Sequence, residues 1–123
     1  MGTTQDFALF VTEQMSGAGP VSSRKMMGEF VVYLEEKVVA LICDNKLFIK
    51  PTEAGRTFIE QSTSAPAVEA PPYTGAKPFF LIEEKLEDRD FLAQLLQASY
   101  KELPFPKPKK PKKTKISTRN GGK

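Results

Sequence analysis

Histidine is absent from all 123 residues of the chain, and tryptophan is absent as well. Because imidazole is the commonest general base, nucleophile activator and transition-metal ligand, its absence removes most hydrolase mechanisms and most zinc sites. The chain also contains no dinucleotide-binding glycine motif, P-loop, nucleophile elbow or EF-hand loop. We therefore expect no enzymatic activity, no catalytic residues, no cofactor and no bound metal.

Long hydrophobic runs and paired cysteines are also missing. No apolar stretch reaches the roughly 18 residues that a membrane-spanning helix needs. Residues 2–6 are polar, whereas a secretory signal would carry positive charge followed by a hydrophobic segment. The single cysteine, Cys43, cannot form a disulfide within the chain, which fits a reducing compartment. We therefore expect a cytoplasmic protein that does not enter membranes.

Acidic residues are confined to one part of the chain. Residues 1–103 contain 10 Lys and Arg and all 15 Asp and Glu, a net charge of −5, whereas residues 104–123 contain 8 Lys and Arg and no acid. In the second part only Phe105 and Ile116 are large apolar residues, too few to offset the entropy lost on ordering it. The sequence predicts one folded domain over residues 1–103 and a disordered tail rich in proline and lysine over residues 104–123.

Three segments of the domain have the apolar spacing and the terminal residues of helices. They cover residues 3–15, 52–61 and 88–103. Either Thr3 or Thr4 can cap the first segment, and Pro51 suits the start of the second. The third segment carries a continuous stripe formed by Phe91, Leu92, Leu95, Leu96, Ser99, Tyr100 and Leu103.

Shorter runs rich in β-branched and aromatic residues predict strands at residues 29–34, 37–43, 46–50 and 78–82. Two-residue separations at Glu35-Glu36 and Asp44-Asn45 predict tight hairpins between the first three runs. Residues 62–77 are rich in Pro, Ala, Ser and Thr and are expected to be irregular. These elements predict an α+β two-layer sandwich, in which an antiparallel sheet of about five strands carries helices on one face, in the order α-β-β-β(β)-α-β-α.

Several small groups of residues in the domain could bind a partner or an anion, or react. Residues 26–28, Met-Met-Gly, lie where the chain enters the sheet, and the methionines are expected to fill the core, with an adaptable partner surface as the alternative. Arg24 and Lys25 are expected to be a solvated pair, with anion binding as the alternative. Cys43 ends a strand rich in Val, Leu and Ile and is expected to be buried and inert. The alternative, a redox switch, would need a nearby cation such as Lys25 or Lys46.

Adjacent acidic residues leave carboxylate catalysis as an alternative function. They are Glu35-Glu36, Glu83-Glu84 and the pair Asp88 and Asp90. Each lies at a predicted turn or helix start. Solvated acids, or acids that complement a helix dipole, are the expected explanation of that placement.

The tail is predicted to contact polyanions. Proline keeps a chain extended at about 3.1 Å per residue, so lysines spread over residues 107–115 would span roughly 25 Å of a phosphate backbone. Lysines without interleaved aromatic residues contact phosphates and not bases, so the prediction is nonspecific binding of DNA or RNA, and a purely solubilising tail is the alternative. The predicted nucleic-acid-binding residues are Lys107, Lys109, Lys110, Lys112, Lys113, Lys115 and Arg119.

Two stretches resemble the N-terminal domain of the TfoX/Sxy family. Residues 23–33 read SRKMMGEFVVY, and residues 39–50 read VALICDNKLFIK. Together with Pro72-Tyr73, Pro78-Phe79 and the last helix, they extend the resemblance over roughly residues 3–103. The resemblance implies a small α+β domain of bacterial regulators, whose founding members promote competence gene expression by acting with a transcription activator, and it implies no enzymatic activity. Full-length members continue into a second helical domain, where this chain carries its basic tail.

These observations predict a regulatory or interaction module that binds a protein, is linked to transcription regulation and uses its tail for attraction to nucleic acid. The alternative is a sequence-nonspecific nucleic-acid-binding protein in which the tail is the main determinant. A third hypothesis is an enzyme that works through its carboxylates. The sequence leaves the identity of the partner and the oligomeric state open.

Overall fold

Ten elements follow one another in the computed structural model, which describes residues 2–105. The helices are α1 (Gln5–Met15), α2 (Glu53–Thr63) and α3 (Arg89–Glu102), and a short 3-10 helix covers Ser16–Ala18. The strands are β1 (Val21–Met26), β2 (Glu29–Leu34), β3 (Lys37–Cys43), β4 (Lys46–Ile49), β5 (Glu69–Ala70) and β6 (Phe79–Ile82).

Side-chain caps define where the three helices begin. The hydroxyls of Thr4 and Thr52 and the carboxylate of Asp88 each accept a hydrogen bond from the backbone N–H three residues later, at 3.2, 2.9 and 3.0 Å. The predicted helices are confirmed, except that Pro51 precedes the cap of α2 instead of opening the helix. None of the helices within residues 2–105 has both the length and the apolar character needed to cross a membrane.

The strands of the described residues form one antiparallel sheet in the order β1-β2-β3-β4-β6-β5. Two-residue turns join the first four strands at Met27-Gly28, Glu35-Glu36 and Asp44-Asn45. At Met27 and Gly28 the φ angles are 52° and 87°, and at Asp44-Asn45 they are 53° and 57°. Two consecutive positive φ values give the turn that matches the twist of a tight hairpin. The two predicted hairpins are confirmed, and the structure adds a third.

The α+β sandwich is confirmed, but residues 2–105 contain six strands and not about five. Strand β1 was not predicted because its residues do not alternate: all except Val21 are exposed, since β1 is an edge strand that the helices barely cover. Strand β5 was not predicted either, because it lies in the segment expected to be irregular. The two residues of β5 pair with Phe79 and Phe80, so tertiary pairing and not local preference makes them a strand.

The three helices pack against one face of the sheet and enclose the core. Alternate residues of β2, namely Phe30, Val32 and Leu34, are buried on that face. The rings of Phe58 in α2 and Phe91 in α3 lie 5.3 Å apart between their centroids. The predicted stripe of α3 is confirmed, because the structure buries Phe91, Leu92, Leu95, Leu96, Ser99 and Leu103 and packs Tyr100 against them.

One lysine is buried where α3 ends over the sheet. Lys37 is only 6% exposed, and its Nζ donates a hydrogen bond of 2.8 Å to the backbone oxygen of Tyr100. The same Nζ lies 4.1 Å from the ring centroid of Tyr100 and 4.6 Å from that of Phe105. Because Tyr100 is in the last turns of α3, the negative end of the helix dipole also favours a cation here. The Lys37 contact therefore fixes the C-terminal end of the described chain on the domain.

Candidate protein-interaction surface

Two exposed methionines lie where β1 turns into β2. We call residues Met26–Gly28 the hairpin tip. Met27 is 97% exposed and Met26 is 49% exposed. The prediction that both methionines fill the core is wrong. The reason is that the chain does not enter the sheet at this point but reverses between two strands, so that the side chains lie at the outer end of a hairpin.

Neither packing nor backbone geometry favours methionine at position 27. Its φ of 52° lies in the left-handed region, where a β-carbon crowds the backbone at a cost of about 1 kcal/mol. Glycine and asparagine adopt that conformation more readily. A fully exposed thioether also gains nothing from burial in the folded monomer. The turn would therefore form better with a different residue, and the methionine needs another explanation.

The N-terminal residues hold the hairpin tip in place. The backbone N–H of Thr3 donates a hydrogen bond of 2.9 Å to the carbonyl oxygen of Gly28. A β-carbon added to Gly2 would lie 2.8 Å from that same oxygen, so glycine permits the close approach of the two chain segments. The tip is thus supported by the chain segment that leads into α1.

A second set of hydrogen bonds joins the base of the tip to the neighbouring turn. The hydroxyl of Thr3 donates to Oε1 of Glu29 at 2.7 Å and accepts from the backbone N–H of Asn45 at 3.2 Å. The backbone N–H of Asp44 donates to the same Glu29 oxygen at 3.0 Å. Because each group in this network has a partner on another segment, the base of the tip is held from several sides.

Arg24 and Lys25 precede the tip on β1, and both are exposed. The ion pairs within residues 2–105 are Arg56 with Glu69 and Lys85 with Asp88, so neither of the two cations is engaged in one. The prediction of a solvated pair is confirmed. Neighbouring residues of a strand point to opposite faces, and the two cations therefore do not converge on one anion.

The adjacent acids lie where turns and helix starts place them. Glu35-Glu36 forms the β2–β3 turn, Glu83 and Glu84 are exposed after β6, Asp88 caps α3 and Asp90 lies in its first turn. Residues 2–105 contain no group of three or more His, Cys, Asp or Glu side chains arranged to hold a metal ion. The expected interpretation of these acids as solvated groups, or as acids that complement a helix dipole, agrees with their positions.

Cys43 is 5% exposed at the end of β3, as predicted for an inert thiol. Burial, together with the smaller effect of the negative charges of Glu29 and Asp44, raises its pKa from 9.0 to about 11. Lys46 is its cross-strand neighbour, but the cation does not outweigh these effects. At neutral pH the group is therefore a neutral thiol, which is a poor nucleophile.

The pKa of Cys43 predicts a loss of stability at alkaline pH. Because the folded pKa is above the unfolded one, the folded state binds more protons between these values, and stability falls as the pH rises through that window. We expect the unfolding free energy to fall by about 1 kcal/mol between pH 8 and pH 10 because of this thiol. Urea titrations of the wild type and Cys43→Ala at both pH values measure it. Equal pH dependence in the two proteins would contradict the prediction.

The predicted nucleic-acid-binding residues all lie outside the described part of the chain. They are Lys107, Lys109, Lys110, Lys112, Lys113, Lys115 and Arg119. The described domain contributes the opposite charge, since residues 1–103 carry −5, with 10 Lys and Arg against 15 Asp and Glu. Contact of the tail with polyanions therefore stays a prediction that the fold does not test.

Comparison with known proteins points to one family. The family model described as the TfoX N-terminal domain matches residues 13–103. An uncharacterized 12.7 kDa protein in the trpE 5′ region of Spirochaeta aurantia is 38% identical over 112 residues, which cover 91% of this chain and 93% of the relative. Both β1 and the hairpin tip lie inside the stretch that the family model matches.

Proposed function

Because this chain belongs to the TfoX N-terminal domain family, we propose that it is a non-enzymatic regulatory module, linked to transcription regulation, that works by binding another protein. The observation that carries the proposal is Met27, which is 97% exposed and held in a conformation that disfavours methionine. A residue that costs stability in the free protein is accounted for if it gains contacts in a complex.

The shape of the surface favours a protein over a small molecule as the ligand. The hairpin tip lies at the end of two paired strands, where Met27 is almost fully exposed and its side chain is free to enter a groove on a partner. Methionine adapts to irregular apolar surfaces because its side chain is flexible and polarisable. Elsewhere in the described residues, the apolar pocket bounded by Ile59, Val68 and Phe91 holds about 220 Å³, and two larger depressions of about 690 and 400 Å³ are open to solvent. Small-molecule sites usually combine a volume of about 300–1,000 Å³ with burial of most of the ligand, and none of these three has both.

Replacing Met27 with asparagine separates binding from folding. We expect Met27→Asn to leave the unfolding free energy unchanged or to raise it by up to about 1 kcal/mol, since asparagine tolerates a positive φ. We expect the amount of partner captured from lysate of the native host to fall at least about tenfold. Urea denaturation and quantitative mass spectrometry of affinity captures measure the two effects.

A matched control for Met27→Asn is Leu9→Asn, because Leu9 is an exposed apolar residue on α1 at 60% exposure. This variant is expected to capture the same proteins as the wild type. Equal capture by Met27→Asn and the wild type would contradict the proposal, whereas loss in both variants would show nonspecific apolar adhesion.

A second candidate function is nucleic-acid binding by the tail. Its charge favours this function, because residues 104–123 contain 8 Lys and Arg and no acidic residue. Eight cations limit the slope of log affinity against log salt for duplex DNA to about −7. We expect removal of residues 106–123 to abolish retention on DNA at low salt. This truncation keeps Phe105, which contacts Lys37. Unchanged retention in an electrophoretic or filter-binding assay would exclude the tail as the determinant.

A further inference from the structure

We propose that the open edge of β1 binds an extended, acidic segment of the partner protein as an added strand. The inference rests on the proposed function and names the chemistry of the partner segment. It is carried by three features of β1: the direction of its backbone groups, the charge of its side chains and its position beside the hairpin tip. Addition of a strand to an exposed sheet edge is an established way of recognising peptides.

The pairing of β1 with β2 fixes which backbone groups point at the sheet. The N–H of Glu35 donates a hydrogen bond of 2.9 Å to the carbonyl oxygen of Pro20, and Met26 is opposite Glu29 across the two-residue turn. Hydrogen-bonded positions in an antiparallel pair recur at every second residue. Positions 20, 22, 24 and 26 therefore direct their backbone groups toward β2.

The remaining residues of β1 direct their backbone groups away from the sheet. Val21, Ser23 and Lys25 present three N–H and three C=O groups along the outer edge, with residues of the row about 7 Å apart. Within residues 2–105, no further strand or side chain hydrogen-bonds to them. The row has the spacing that an extended backbone needs to continue the ladder.

The charge of β1 selects the chemistry of the added strand. Arg24 faces one side of the sheet and Lys25 the other, and their cross-strand neighbours on β2 are the apolar residues Val31 and Phe30. Glu29, the diagonal neighbour of Arg24 on β2, accepts its hydrogen bonds from Thr3 and from the N–H of Asp44. Within residues 2–105 it forms no ion pair with Arg24, so β2 supplies a countercharge to neither cation. An added strand with two adjacent acidic residues would place one carboxylate beside Arg24 and the other beside Lys25, and opposite charges on neighbouring strands stabilise their pairing.

A second copy of this chain fits the same edge less well. Symmetric pairing through Ser23 would align the outward backbone groups of the two strands. However, it would also set the two copies of Arg24 diagonally across from each other on one face, and like charges on neighbouring strands are destabilising. An acidic segment meets no such repulsion.

The two ends of β1 differ, which sets the order of residues in the partner segment. Met26 and Met27 are exposed at one end, and the acids Glu35 and Glu36 follow β2 at the other. The added strand would therefore carry its acids near the hairpin tip and an apolar residue beside them, within reach of the methionines. The surfaces of β1 and of the tip are continuous.

The test uses the full-length protein and a blocked octapeptide of threonine and valine that carries a leucine followed by two adjacent glutamates. In a strand added antiparallel to β1, this order places the leucine beside the methionines and the glutamates opposite Lys25 and Arg24. On saturation with this peptide, we expect amide hydrogen exchange at Val21, Ser23 and Lys25 to slow at least tenfold. A peptide with lysines in place of the glutamates should bind at least tenfold more weakly. Amide mapping by NMR distinguishes binding at β1 from attraction of the peptide to the basic tail.

Two proline variants provide a matched pair. Ser23→Pro removes an N–H that points away from β2, so the hairpin should be kept and peptide affinity should fall at least tenfold. Ser22→Pro removes an N–H that points at β2, so the hairpin itself should be destabilised. If Ser23→Pro fails to fold, the double variant Arg24→Glu, Lys25→Glu replaces it and should invert the preference between the two peptides.

Several outcomes would overturn the inference. They are equal binding of the two peptides, unchanged affinity in Ser23→Pro, no protection of the three amides, and concentration-dependent dimerisation that Ser23→Pro abolishes. If Met27→Asn loses the host partner and Ser23→Pro keeps it, the edge-strand inference fails while the proposed function stands. If neither variant loses the partner, both fail.

Discussion

Replacing Gly55 with alanine is expected to destabilise the domain by about 1–3 kcal/mol, although alanine is the better helix former. Gly55 lies in the first turn of α2, where this helix meets α3. A β-carbon at this position would lie 2.8 Å from Oγ of Ser99 and 3.3 Å from Cε2 of Phe80. Both neighbours are completely buried, so neither can move into solvent to make room. Overpacking of a filled core typically costs about 1–3 kcal/mol, which outweighs the gain of about 1 kcal/mol in helix propensity.

The cap of α2 increases the expected cost of Gly55→Ala. The added carbon would also lie 2.8 Å from Oγ1 of Thr52, the hydroxyl that accepts the hydrogen bond from the N–H of Gly55. Moving that hydroxyl weakens the helix start. Gly17→Ala is the matched control, because its β-carbon would make an ordinary contact of 3.5 Å with Ala93. Urea denaturation should show a change within about 0.5 kcal/mol for Gly17→Ala. Gly55→Ala at wild-type stability would show that the helices can separate at low cost.

Much of this fold follows from local patterns in the sequence. Alternation of apolar residues identified β2, and the two-residue separation at Asp44-Asn45 identified a hairpin, in which both residues adopt a positive φ. A pair of candidate caps, Thr3 and Thr4, marked the start of the first helix, and the acids at Asp88 and Asp90 marked that of the last; the structure identifies Thr4 and Asp88 as the caps. These features are readable because each depends on neighbours a few residues away.

The interaction surface could not be predicted in the same way. Residues 21–26 have no alternation, and only their pairing with β2 makes them a strand. Without that strand, Met27-Gly28 is not recognisable as a turn, although its two-residue spacing matches that of Asp44-Asn45. The role of Gly55 could not be predicted for a related reason. Its low helix propensity suggests that it weakens α2, whereas the close approach of Ser99 from α3 leaves no room for a β-carbon at this position.

Removal of the Lys37 side chain is expected to destabilise the domain by about 3 kcal/mol. Lys37→Ala deletes a charge-assisted hydrogen bond to the carbonyl oxygen of Tyr100 and the packing of the aliphatic stem. A hydrogen bond to a charged group contributes about 1.5–3 kcal/mol, and cation–π contact with the rings of Tyr100 and Phe105 adds to it. Desolvation of the ammonium offsets part of this gain. The expected destabilisation is therefore close to the cost of removing one buried side chain.

A second substitution at position 37 divides this loss between packing and charge. Lys37→Met keeps the stem but cannot donate to Tyr100, so it should recover about half of the stability lost in Lys37→Ala. Lys46→Ala, at an exposed position of β4, should change the unfolding free energy by less than about 0.5 kcal/mol. Thermal and urea denaturation of the four proteins measure these differences. If Lys37→Met were as stable as the wild type, the ammonium would contribute no net stability, and Lys37 would join α3 to the sheet through its methylene groups alone.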